Sequence, residues 1–290
     1  MSKLIFLFTA LLLLSCEGSS TYSQSMSNFS YDLSQPTLEV KLDKDLRETS
    51  ALSLSSNKKQ LLTLNDEEGK LFFLNKQTGE IEEEIKFEKK GDYEGVEAVG
   101  DRIYAVTSSG DLYEIELRKD KKPKVEKYET SLKSSNDIEG LCYDSSSNQL
   151  LIACKARHKD YKEERVVFGF DLVEKELKEK AIYRVNHDSL YQFIDQYTNI
   201  NSMISRTLAK TFAPSGIAVH PISKEVYLLS SPGKVLVVLD AKGAIKSVQK
   251  LSPKFMKQPE GICFDTDATL YISSEGDGGK GRLLRYDYLK

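Results

Sequence analysis

Ile138-Glu139-Gly140-Leu141-Cys142-Tyr143-Asp144 and Pro259-Glu260-Gly261-Ile262-Cys263-Phe264-Asp265 are one phrase written twice. In each, an acid precedes a glycine, and the glycine opens an apolar run that ends on an aromatic and an aspartate. Three looser versions complete a set: Arg47-Glu48-Thr49-Ser50-Ala51-Leu52, Tyr93-Glu94-Gly95-Val96 and Pro214-Ser215-Gly216-Ile217-Ala218-Val219. Glu48 and Glu94 are 46 residues apart, Glu94 and Glu139 are 45, and Ser215 and Glu260 are 45, while the 76 residues between Glu139 and Ser215 mark an insertion. Self-similarity at a period of about 40–45 residues marks a propeller, in which each unit is a small sheet that cannot bury its faces alone.

Each phrase is followed by a second apolar run: Leu61–Leu64, Ile103–Val106, Leu150–Ala153, Val226–Leu229 and Leu270–Ser273. A third follows a polar turn: Lys70–Leu74, Asp111–Ile115, Val166–Phe170, Lys234–Val238 and Arg282–Tyr286. β-Branched and aromatic residues fill these runs, as strands covered on both faces require. The fifth unit has no fourth strand after Tyr286, whereas Thr37–Leu42, ahead of the first unit, alternates and has no partner. Pairing of that segment with the last unit closes the ring and removes an open edge. The expected fold is therefore an all-β, five-bladed β-propeller over 37–290, closed by an N-terminal strand. Leu190, Phe193, Ile194, Tyr197, Ile200, Met203, Ile204 and Leu208 fall at helical spacing, which predicts a short helical insertion between blades 3 and 4, about 186–211. The charged stretch Arg157–Arg165 reads as a solvated hairpin tip.

The first residues are of a different kind. Lys3 precedes an apolar run, Leu4–Leu14, that is too short to span a bilayer as a helix. It ends in Leu13-Leu14-Ser15-Cys16, which resembles the lipobox of bacterial lipoproteins. The expectation is a signal peptide over 1–15, acylation of Cys16 and a flexible Ser/Thr/Asn-rich tether over 16–36. That places the chain at the bacterial cell envelope, held to a membrane by lipid and facing periplasm or exterior. With Cys16 lipidated, Cys142, Cys154 and Cys263 remain, an odd number that argues against a disulfide framework. The formal charge of −3 becomes −4 when Lys3 leaves with the leader, so bulk charge does not draw the chain to nucleic acid.

Equivalent positions on the innermost strands of a propeller surround one axis. The repeat sets Glu48, Glu94, Glu139 and Glu260 at one such position, with Ser215 in the fifth. Carboxylates facing one another across a narrow channel repel and raise their own pKa values unless a positive charge lies between them. A hard cation resolves this, and Ca2+ accepts six to eight oxygen ligands. Asp92, Asp137, Asp66 and Ser215 are candidate further ligands, and Lys155 is a competing positive charge. The structural reading stands beside this one: an acid at the start of each inner strand ties its blade to a neighbour's backbone. The three histidines are scattered, and no nucleophile–base motif, phosphate loop or zinc signature occurs.

The first-blade phrase, the recurring Glu-Gly-Ile/Leu-x-Tyr/Phe-Asp motif and the helical insertion before Pro214 resemble the SdiA-regulated (YjiK-like) family over roughly Leu38–Tyr288. The resemblance implies a five-bladed propeller, distantly NHL-repeat-like, with a calcium site. The Asp-x-Glu-Gly motif also resembles esterase-like phytases, from which the fourth blade departs by lacking the acid. Two functions compete on this basis. One is a non-enzymatic Ca2+-binding propeller for a ligand or protein partner. The other is a metal-dependent hydrolase of phosphoesters or lactones, in which the cation activates water.

Overall fold

The computed structural model describes residues 29–198 and 200–289, so Cys16 and the leader lie outside the described residues. Five antiparallel sheets follow one another along the chain. Blade 1 comprises Ser53–Leu54, Gln60–Thr63, Lys70–Asn75 and Ile81–Lys86. Blade 2 comprises Tyr93–Val99, Arg102–Thr107, Leu112–Arg118 and Lys121–Tyr128. Blade 3 comprises Ile138–Asp144, Gln149–Cys154, Glu164–Asp171 and a two-part outer edge, Glu176–Leu177 and Tyr183–Asn186. Blade 4 comprises Gly216–Val219, Val226–Ser230, Val235–Leu239 and Ile245–Lys250. Blade 5 comprises Gln258–Phe264, Leu270–Glu275 and Arg282–Tyr286. Its fourth strand is the N-terminal segment Leu38–Lys41, paired in antiparallel register from Leu38 opposite Arg285 to Lys41 opposite Arg282.

The first strand of every blade contacts the first strand of the next, and the fifth contacts the first, so the ring closes on five inner strands. Five buried apolar clusters occupy the five blade–blade joints. This explains why second and third strands read as unbroken apolar runs: both faces of each sheet are covered. At the closing joint, Leu42 and Leu46 are almost wholly buried against Leu52, Phe72 and Leu283. Each buried leucine contributes about 1.5–3 kcal/mol, so the strap from Leu38 to Leu46 closes the ring by packing as well as by its ladder.

Inner strands crowd at the axis, and glycine makes this possible at two joints in particular. A Cβ on Gly261 would sit 2.7 Å from Leu52 Cβ of blade 1, and one on Gly216 would sit 2.6 Å from the Glu260 carbonyl oxygen.

Two helices form the insertion, α1 (His187–Tyr197) and α2 (Ser202–Thr211). Each starts on an asparagine cap: Asn186 accepts from the Asp188 and Ser189 N–H groups, and Asn201 from that of Met203. Leu190, Ile194, Leu208 and Ala209 bury against blades 3 and 4, while Tyr197, Met203 and Ile204 stay exposed, so the apolar face is narrower than the sequence implied. The tether expected over 16–36 also ends early. Tyr31 and Leu33 are buried, and the Tyr31 hydroxyl donates to Ala268 O at 2.6 Å and lies 2.9 Å from His220 Nε2. From Phe29 onward the segment is a strap docked on the turns of blades 4 and 5. Cys142, Cys154 and Cys263 are free and buried, and no described helix is long and apolar enough to cross a membrane.

Candidate functional site

The acids owe their direction to one backbone irregularity. In blade 2, Tyr93 pairs with Thr107 and Gly95 with Val106, so Glu94 is an extra residue on the inner strand. Glu139 and Glu260 are the extra residues of the same bulge in blades 3 and 5. A bulge turns one side chain out of the alternation of its strand, and here it turns three glutamates toward one end of the channel.

The same register corrects the first blade. Thr49 bridges Asn65 and Ser53 pairs with Leu62, four steps against three, as Tyr93 to Glu97 meet Thr107 to Tyr104. The bulged residue is thus Ser50, and Glu48 lies two positions ahead of the ring it was expected to join. Its true counterparts are Asp92 and Asp137: the carbonyls of Glu48, Asp92 and Asp137 accept from Asp66, Ser108 and Lys155 N–H at 3.4, 2.9 and 2.8 Å. Ser215, expected as a further ligand, is also committed elsewhere. Its hydroxyl donates to Pro259 O at 2.7 Å and accepts from Ser231 N–H at 3.0 Å.

Three tiers therefore converge. The bulge tier holds Glu94, Glu139 and Glu260, with the latter two buried. The rim tier holds Glu48 and Asp92, both exposed, and Asp137, half-buried in a left-handed conformation at φ 52°. The ends of the second strands add Asp66 and Glu275. Glu275 was not anticipated, and its position equivalent to Lys155 and Asp66 emerges only from the pairing.

The acids feel one another. Burial and then Glu139 and Asp92 push the Glu94 carboxyl up to about 10. Burial, Glu139 and Glu275 push Glu260 to about 8. Glu275 rises to about 7 through burial, Asp66, Glu48 and Glu139. Burial also raises Glu139 to about 7, against the pull of Lys155, whose Nζ lies 2.7 Å from Glu139 Oε1. Asp66 is raised by burial and by Glu48 and Glu67. Lys155 thus answers acids of blades 3 and 5, Glu139, Asp137 and Glu260, within a cluster drawn from four blades. Two oxygens in this cluster, Glu260 Oε2 and Asp66 Oδ1, are buried without a hydrogen-bond partner among the described residues. The donor set is all oxygen, which suits a hard cation. As placed, no three His, Cys, Asp or Glu side chains among the described residues are spaced to hold a metal ion.

The family model for SdiA-regulated proteins matches residues 22–277. The chain belongs to the SdiA-regulated family. A search of curated proteins returns no match. Among solved structures, this SdiA-regulated propeller is similar to the glutaminyl cyclase of Myxococcus xanthus, at 14% identity over 87% of this chain and 95% of that one, with a TM-score of 0.53. It is also similar to the aldose sugar dehydrogenase of Streptomyces coelicolor, at 11% identity over 87% of this chain and 97% of that one, with a TM-score of 0.51. At such identities the likeness extends to the fold alone.

Proposed function

We propose that this SdiA-regulated propeller is a lipid-anchored protein of the bacterial envelope that binds Ca2+ at the acidic end of its channel and uses that end to hold a ligand or protein partner. Glu94, Glu139 and Glu260 are the residues that would hold the cation, with Glu275 and Asp66 next in line and Glu48, Asp92 and Asp137 at the rim. The anchor is the lipid on Cys16, on the strength of Leu13-Leu14-Ser15-Cys16. The observation that carries the cation reading is the pair of buried oxygens without a partner among the described residues, Glu260 Oε2 and Asp66 Oδ1, in a cluster of acids from four blades where Lys155 pairs with Glu139. A carboxylate is removed from water only when something compensates it. A divalent cation does so without the protons these acids otherwise retain.

Calorimetry with CaCl2 tests this reading. Cation binding must displace the protons held on Glu94 and Glu260, so the heat should vary with the ionisation enthalpy of the buffer at pH 7.5. Glu139→Gln combined with Glu260→Gln should abolish the signal. Absence of heat and of any Ca2+-dependent rise in Tm for the wild type would sink it.

A further inference from the structure

A guanidinium leaves water only with an acceptor to meet it. Partly buried arginines elsewhere obey this: Arg102 meets Glu116 at 3.1 Å, Arg282 meets Glu39 at 2.7 Å, and Arg285 meets Asp287 at 3.2 Å. Arg165 does not. It lies opposite Val185 in blade 3, on the sheet face whose Val167 and Val185 pack with Leu190 and Ile194 of α1. Its Nε and Nη1 are enclosed and have no hydrogen-bond partner among the described residues. Glu164, its neighbour in the strand, is spent on Arg184. Burial and a second guanidinium, Arg157, both lower the Arg165 pKa.

A second orphan lies alongside. His187, the first residue of α1, is 8% exposed, and its Nε2 is likewise buried without a partner. Burial, Arg165 and Arg157 oppose its protonation, and Glu163 and Asp188 favour it. Two guanidinium groups, an imidazole and the positive end of an eleven-residue helix thus share one region. Glu163 and Asp188, both exposed, offset part of this charge, but neither meets the enclosed Nε and Nη1 of Arg165 or Nε2 of His187. We propose that Arg165, His187 and Arg157 form a subsite for a tetrahedral oxyanion group, phosphate or sulfate, on a soluble ligand. Donors reaching in from the third strand, the 156–163 loop and the helix start suit an acceptor with oxygens in several directions, whereas a planar carboxylate needs one arginine. The subsite stands independently of the cation reading, and one loop joins it to Lys155 of the acidic end.

Thermal melting of the full chain at constant ionic strength tests the assignment. Sodium sulfate or phosphate, exchanged for chloride, should raise the wild-type Tm by several degrees at saturation. Acetate should leave it where chloride does. Arg165→Met should keep only the small general stabilisation that sulfate gives any fold, and in chloride it should melt at or above the wild type, because it removes a half-buried charge whose Nε and Nη1 are enclosed without an acceptor among the described residues. Sulfate should bind more tightly as pH falls and His187 gains a proton. His187→Gln should weaken sulfate about tenfold at pH 6, which serves as the test if Arg165→Met fails to fold. A wild-type Tm indifferent to sulfate and phosphate, or a sulfate response undiminished in the variants, overturns the subsite. An equal response to acetate overturns its tetrahedral character. Arg165-dependent sedimentation with phosphatidylglycerol vesicles would overturn the soluble ligand.

Discussion

Blades 1 and 4 differ from blades 2, 3 and 5 at a single repeated position, and the difference separates what holds the ring together from what the ring holds. In blades 1 and 4 the residue is serine. Ser50 donates to Tyr93 O of blade 2 at 2.8 Å, and Ser215 donates to Pro259 O of blade 5 at 2.7 Å. These are one bond made twice, from the bulge of one blade to the carbonyl just before the bulge of the next. In blades 2, 3 and 5 the same position carries Glu94, Glu139 and Glu260, whose carboxyl groups crowd one end of the channel. A neutral hydroxyl suffices to tie a joint, so closure does not explain the glutamates.

Exchanging the two classes of side chain should therefore have separable effects. The largest is on cation binding: Glu94→Gln, Glu139→Gln and Glu260→Gln together should weaken Ca2+ by at least about a hundredfold in calorimetry, while Ser50→Ala leaves Ca2+ affinity unchanged. Next comes stability. Ser215→Ala removes a buried donor and strands Pro259 O and Ser231 N–H, which should cost about 1–3 kcal/mol in a urea titration with unaltered slope.

A further effect distinguishes the classes by pH. Glu94, Glu260, Glu139 and Glu275 keep their protons in the fold up to about 10, 8, 7 and 7, against an ordinary value of 4.5. Above pH 4.5 the unfolded chain has shed protons that the native chain retains, so stability falls as pH rises through this window. Without divalent cations the wild-type Tm should decline from pH 5 to pH 8. Ca2+ should flatten the decline, and so should the triple glutamine variant. A Tm that rises over this range would show that these acids do not retain protons.

Much of this was legible in the sequence because propellers repeat their signals. The apolar runs recur with the phrase, so five blades could be counted, and the orphan alternation of Thr37–Leu42 announced its partner. Register was not legible. Blade 1 has Ala51 where blades 2 to 5 have glycine, and without that landmark Glu48 passed for the ring residue, although the pairing of Thr49 with Asn65 gives that place to Ser50. Glu275 escaped because the end of a second strand has no motif. The strap at Phe29, Tyr31 and Leu33 does alternate at period two, but its polar surroundings masked the pattern. Arg165 was hidden in a charged run, since sequence shows that a charge exists but not whether anything answers it.

The smallest expected effect concerns Lys155, the lysine seated among these acids. It is paired with Glu139, which is 8% exposed, and removal of one partner of a buried pair is usually costly because a naked charge remains. Here the remaining group has an escape. Glu139 already sits near pH 7 in the fold, and without the ammonium it rises further, so at pH 6 the folded state of Lys155→Met, like that of the wild type, holds this carboxyl mostly neutral. The variant should melt close to the wild type at pH 6 and fall below it by pH 9, where protonation is no longer cheap. In the presence of Ca2+ the order should reverse, because the lysine competes with the cation for Glu139: Lys155→Met should bind Ca2+ more tightly than the wild type. Weaker Ca2+ binding in that variant would mean that the ammonium positions the cation rather than excludes it.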